Sequence, residues 1–407
     1  MTLAYTPADP VVRADPYPIF KRLRDEDPVH WSPPLKSWVL TRYDDVARAL
    51  AAPEMSPNRL TPFYEALPDK TRATLADVMR YLNLWIVFRD PPEHTRLRRL
   101  VNTAFLPGTI NGFRPMIEST VEELVASLPA NENIDLVRSF TILLPARIIM
   151  GVLGVPPGQL WDVKSWSDDI MQFLFSAREV PDKYERARRG ALAMSAMFRD
   201  LIARRRADPA DDLLTRLIAA RDQDDKLSED ELVATAMLLL FAGHETTTNL
   251  LSNASLMLMQ NPDQRRAFVD NLELASTAIE EFLRFDGPSN SMSRVVSVAH
   301  EVEGKRLEVG ARVFAMINAA NRDERQFPDA EHIDIERQPN RHLTFGQGIH
   351  FCLGSQLARL EARLALPYLF RRFPEMAPAD APPVWLDSMI ARGMSSLPVR
   401  TGRAATV

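Results

Sequence analysis

Cys352 is the only cysteine of the chain, and it lies in the stretch Phe345-Gly-Gln-Gly-Ile-His-Phe-Cys-Leu-Gly354. Gly346, Gly348 and Gly354 relieve the steric cost of unusual backbone angles and let the main chain come close to a flat ligand. The helix that follows directs its N-terminal amides back toward the sulfur, a setting that favours a thiolate. On residue type alone a free cysteine is a small buried hydrophobe, so the loop around it carries the chemical signal. Three other spacings stand out. His94 and Arg98 are four apart, and Glu281 and Arg284 three apart, so each pair shares one helix face. Alone, such pairs are ordinary solvated helix charges. Ala242-Gly-His-Glu-Thr-Thr-Thr248 sets a glycine and three β-branched residues inside an otherwise well-made helix. A local sacrifice of that kind is expected at functional sites.

Taken together, Phe345, Gly346, Gly348, His350, Cys352 and Gly354 resemble the haem-binding loop of the cytochrome P-450 family of haem-thiolate monooxygenases, and the resemblance extends over nearly all of the chain. It implies that Cys352 is the axial ligand of the iron in haem b, with Phe345, Gly346 and His350 around it. His94 and Arg98 match the family's H-x-x-x-R, whose side chains bind haem propionates, and Arg294 matches the strand arginine that reaches a propionate. Fixed cations facing two carboxylates suit that task. The stretch from Ala242 and Gly243 matches A-G-x-[DE]-T, in which the helix loosens over the haem and Glu245 and Thr246 form the acid-alcohol pair that manages oxygen and protons. Glu281, Arg284 and Arg337 match an ion network beneath the cysteine loop. His244, the variable position, reads as a packed or solvated residue rather than a second iron ligand, which would block oxygen.

The implied reaction is insertion of one atom of O2 into a mainly hydrophobic small organic substrate, since a thiolate-ligated haem favours O-O cleavage. The region from Pro62 to Phe88, with Trp85 and Phe88, reads either as ordinary core packing or, as the resemblance implies, as lining of the substrate pocket together with Ser289, Asn290, Ser291, Met292 and Met394. The polar residues among them either point away and bond to the protein or meet a polar handle of the substrate, Ser289 and Ser291 facing one side of a strand and Asn290 the other. No flavin-like region or G-x-G-x-x-G is found, so the electrons are expected from a separate ferredoxin with its reductase. Arg96, Arg99, Arg359 and Arg363 would offer it a basic patch, or are ordinary solvated helix charges. A peroxide-driven peroxygenase and a non-enzymatic haem sensor are the alternatives. The first generally lacks the acid-alcohol pair, and the second has no need of it.

The elements that must position these residues can be read from pattern. Ser228-Glu-Asp-Glu231 is a capping box, and the apolar helix it opens runs to Asn261-Pro262, about 45 Å for roughly thirty residues. Val29 to Trp31 and Ser37 to Thr41 read as a strand pair before a helix from Tyr43 to Leu50. Asp90-Pro-Pro opens the helix of His94. Amphipathic helical segments follow from about Phe113 to Asp225. Pro367 predicts a kink or an end near residue 366 in the helix after the cysteine. With 46% hydrophobic residues in 407 the chain can bury a large core, and 49 basic against 54 acidic residues give no global field toward nucleic acid or membrane. The N-terminus has neither a basic region nor an apolar run, which predicts a cytoplasmic protein without signal or anchor. The expected architecture is mainly α with small β-sheets, one domain over residues 1–407, with the haem buried between the long distal helix and the cysteine helix.

Overall fold

The computed structural model describes residues 3–175, 181–222 and 225–406. Two compact units emerge, one of Met1–Met55, Pro115–Pro145 and Thr246–Val407, the other of Ser56–Arg114 and Ala146–Glu245. Helices dominate both, with small sheets beside them.

The first unit contains the larger sheet, in the order Val29–Ser32, Ser37–Leu40, Arg312–Ala315, Met292–Val296, with the short strand that begins at Met55 on the far edge. The expected strand pair is an antiparallel hairpin with Trp31 opposite Trp38. Arg312–Ala315 then runs parallel to Ser37–Leu40 and antiparallel to Met292–Val296, which places Phe314 beside Val39 on one side and Ser293 on the other. Alternation along these strands buries both faces. Leu40, Val313 and Ala315 join a core with Val46 and Leu50 of the helix Tyr43–Ala51. Val39 and Phe314 join another with Phe20 and Leu23 of the helix Tyr17–Glu26.

The cysteine helix runs without interruption from Ser355 to Arg372 with Pro367 inside it, so the expected end near residue 366 is not found. Proline deprives the helix of one internal hydrogen bond. Leu366, Leu369 and Phe370 are fully buried around that point, and their packing outweighs the local preference.

In the second unit the helices Asp69–Leu82, Leu160–Phe175 and Lys183–Ala207 each bond the long helix Glu229–Gln260, through Arg80, Lys164 and Arg199. Its capping box is formed as read: Ser228 N donates to Glu231 Oε2 at 2.8 Å and Glu231 N to Ser228 Oγ at 3.3 Å. Asp230, one position before Glu231, accepts from Arg80 and Arg199 of two other helices, at 2.8 and 2.6 Å. The helix remains regular through Ala242–Thr248, with no loosening there. Gly243 has a packing reason, since a Cβ would lie 2.7 Å from Ile149 Cγ1. Among the described residues no helix is long and apolar enough to cross a membrane.

Candidate active site

In the first unit the cysteine loop is built from backbone that only glycine adopts freely: φ is +73° at Gly346 and +69° at Gly348. A Cβ at Gly348 would come within 3.2 Å of Ala51 Cα, so the loop rests directly on the helix Tyr43–Ala51. Gly346 N donates to Leu343 O and Cys352 N to Phe345 O, both at 2.8 Å. These bonds close a turn that brings Cys352, half-buried, to the start of the helix at Ser355.

The residues leading into the loop are anchored to the helix Ala275–Asp286. Thr344 Oγ donates to Leu283 O at 2.6 Å, and Asn321 Oδ1 accepts from Leu343 N at 2.8 Å. On that helix Glu281 and Arg284, both with fully buried side chains, form a two-bonded pair at 2.7 Å. Arg337 Nε lies 3.2 Å from the same carboxylate, which also accepts from Asn340 Nδ2 and Asp334 N. The three residues named from sequence thus meet in one network. A buried pair persists when each remaining lone pair and proton finds a partner, and here backbone carbonyls of Asn321 and Ala330 take the rest of Arg284.

Sequence reading missed the neighbouring carboxylate. Glu280 Oε1 and Oε2 accept from Arg359 Nε and Nη2 at 2.6 and 2.7 Å, and His342 Nε2 lies 3.1 Å from Oε2. Burial pushes the Glu280 carboxyl up, but hydrogen bonds from Arg359 and His342 hold it at about 2. The Glu280-Glu281 doublet was the available signal, because adjacent helical positions lie about 100° apart and cannot serve the same partner.

Arg294 is buried on the strand Met292–Val296, with Nη1 bonded to Ser293 O at 3.0 Å. The segment before it differs from expectation. Ser289 pairs with Ala391 in an isolated bridge. Asn290 Nδ2 and Ser291 Oγ both donate to Met389 O, at 3.2 and 2.7 Å. Residues 289–291 are therefore not an extended strand with alternating faces, and two of the expected polar handles are engaged by the main chain of residue 389. Met292 packs on the sheet core, and Met394 is buried opposite Trp385.

In the second unit His94 and Arg98 sit one turn apart on the helix Glu93–Asn102, His94 being buried. Burial, and then the charge of Arg98, push the His94 imidazole below its ordinary range. An anion beside the pair would reverse that effect. Arg96 bonds Glu231 and reaches Asp225 at 3.3 Å. Arg359 of the expected basic patch is likewise held within the chain, by Glu280.

Trp85 and Phe88 stack with centroids 6.2 Å apart, and Phe241 of the long helix lies 5.3 Å from Trp85. Arg59 lies over Phe88 and Phe175, at 5.2 and 5.3 Å from their centroids. The aromatic residues picked from the irregular stretch thus form one wall. Farther along the long helix, Glu245 is buried with Oε1 2.9 Å from Lys164 Nζ and 3.1 Å from His244 Nε2. Burial pushes its carboxyl up, and Lys164 and His244 bring it down to about 2. Lys164, in the helix Leu160–Phe175, also bonds Asp168. His244 is packed, with Nδ1 2.6 Å from Leu240 O. On this otherwise buried helix Ala242 and Thr246, one turn apart, are exposed.

A family model described as cytochrome P450 matches residues 39–398. The vitamin D(3) 25-hydroxylase of Pseudonocardia autotrophica is 39% identical over 394 residues, 95% of this chain and 94% of that protein. Two solved structures are similar throughout. CalO2 gives a TM-score of 0.90 at 31% identity, covering 98% of this chain and 99% of the other. P450BioI in complex with acyl carrier protein ligated by hexadec-9Z-enoic acid gives 0.88 at 32%, covering 96% and 99%. The mainly helical architecture with small sheets is therefore that of these proteins. On the family match, the identity and the fold, this chain belongs to the cytochrome P450 family and is an oxidoreductase of its monooxygenase kind.

Proposed function

We propose that the chain inserts one oxygen atom from O2 into a mainly hydrophobic small organic substrate, with haem b held by Cys352 and electrons supplied by a separate ferredoxin and reductase. The observation that carries this reading is the exposed pair Ala242 and Thr246 on a helix whose neighbouring residues are buried. A flat group covering that stripe would complete the burial of the helix and lie against an alcohol. Other features fit the same group. The cysteine loop is open backbone with positive φ at two glycines, and buried His94 carries a depressed imidazole beside Arg98.

When bound, the haem supplies oxygen activation at a thiolate-ligated iron. The chain supplies the rest. Cys352 offers its sulfur from the start of a helix, where the amide dipoles favour the anion. His94, Arg98 and Arg294 would neutralise the propionates, and Phe345, Gly346 and His350 would wall the thiolate side. Glu245, held ionised by Lys164, accepts a proton and passes it on only when that pair loosens, while the Thr246 hydroxyl can donate to an oxygen placed against the stripe. Glu281, Arg284 and Arg337 fix the loop and do no chemistry.

Trp85 and Phe88 would face an apolar substrate body, with Met292 and Met394 as further lining. The named relatives support such a substrate: one is called a vitamin D(3) hydroxylase, and another was solved with a fatty acyl chain on its carrier protein. Ser289, the polar residue of its segment without a bond to Met389 O, is the remaining handle there. Arg99, exposed, and Arg363, half-buried, would meet an acidic ferredoxin. The decisive experiment is the reduced carbonyl spectrum of Cys352→Ala. The red-shifted thiolate band should vanish, and its retention would overturn the ligand assignment.

A further inference from the structure

We propose that Glu280 and Arg359 form a second positioning network, whose task is to hold the Phe345 ring and, through it, the turn that carries Cys352. Arg359 stands on the second turn of the helix that follows the cysteine. One edge of its guanidinium forks onto Glu280 through bonds of 2.6 and 2.7 Å. Its Cζ lies 4.3 Å from the centroid of the Phe345 ring, well inside the range of a cation-aromatic contact. His342, the other partner of Glu280, has its own ring 5.8 Å from that of Phe345. Phe345 O in turn accepts the Cys352 amide at 2.8 Å.

One carboxylate therefore clamps the segment on both sides of the ring. The ordinary account of a part-exposed arginine-glutamate pair is a surface salt bridge of little consequence. Here the side chains are only 20% and 26% exposed, and the contacts converge on the loop rather than on solvent. A fork and a flat face used at once are also a task that lysine cannot perform. The pair carries opposite charges that largely cancel at a distance, so its effect on the sulfur is one of placement. Arg359 is accordingly a positioning residue rather than a docking cation.

This inference rests on Cys352 being the sulfur ligand. The test uses the haem-loaded protein and its variants Arg359→Leu, Arg359→Lys and Glu280→Gln. Leu360→Ala, a buried position on the same helix, reports general destabilisation. The readouts are the rate at which the reduced carbonyl form loses its thiolate band in mild urea, and the reduction potential. Loss of the aromatic contact should speed band loss roughly two- to five-fold in Arg359→Leu, with Arg359→Lys and Glu280→Gln changing in the same direction and the potential moving with them. The effect of Arg359→Leu should disappear in a Phe345→Leu background, because the two then share one interaction. Wild-type behaviour of Arg359→Lys would mean that charge alone matters, and an equal change in Leu360→Ala would mean simple destabilisation; either result overturns the inference. Retention of the band in Cys352→Ala would instead sink the parent reading, which separates the two failures.

Discussion

Lys164→Met removes the ammonium that lies 2.9 Å from Glu245 Oε1. In the native protein the carboxyl is lowered from 4.5 to about 2, and at about 1.4 kcal/mol per unit that corresponds to roughly 3 kcal/mol of stability at neutral pH. Because the folded value lies below the unfolded one, this stability is fully present above the unfolded pKa and is lost as pH falls through the folded one. In the variant the sign changes. Burial, no longer opposed by Lys164, pushes the Glu245 carboxyl above its ordinary range, so the variant loses stability as pH rises from the unfolded value toward neutrality. Urea unfolding of both proteins should therefore show a gap of roughly 3 kcal/mol already at about pH 5 that widens further by about pH 8. Lys164→Arg should restore most of it. A gap below about 1 kcal/mol, or one equal at both pH values, would refute the claim that Lys164 is what keeps Glu245 ionised.

Three further outcomes are expected. Thr246→Ala should still consume reductant but release more hydrogen peroxide per product, measured as coupling efficiency; unchanged coupling would assign the hydroxyl's role elsewhere. Glu281→Gln leaves Arg284 buried beside a neutral partner and should lower stability by about 3 to 5 kcal/mol in chemical unfolding, while a loss under 1 kcal/mol would show that the network is dispensable. Electron transfer from an acidic ferredoxin should slow as salt rises and should weaken on charge reversal at Arg99 or Arg363. Indifference to both would place the docking face elsewhere.

The sequence made legible what depends on short spacing. The cysteine loop, the capping box at Ser228, and the pairing of Glu281 with Arg284 need only neighbours a few residues away. Interactions that join distant segments were not legible. Glu245 finds Lys164 eighty-one residues earlier, and Ser291 gives its hydroxyl to a carbonyl ninety-eight residues later. No local pattern announces either partner. The helix end expected near Pro367 is absent for a related reason, since propensity is a local quantity and burial of Leu366 and Phe370 is not. Arg359 was visible as a positive charge, but its geometry was set by Glu280, on a helix 79 residues away.

The division between the two units falls at the peptide bond between Glu245 and Thr246. Glu245 and its partners Lys164 and His244 belong to one unit, whereas Thr246 opens the last segment of the other, although the helix runs through both. Recombination between relatives can exploit this. A chimera with crossovers at 55/56, 114/115, 145/146 and 245/246 transfers Glu245 together with Lys164, Asp168 and the aromatic wall. The recipient keeps its own cysteine loop with Glu280, Arg359 and Thr246. Such an exchange would let the proton-holding half and the thiolate half be inherited from different parents without breaking the described side-chain pairs within either.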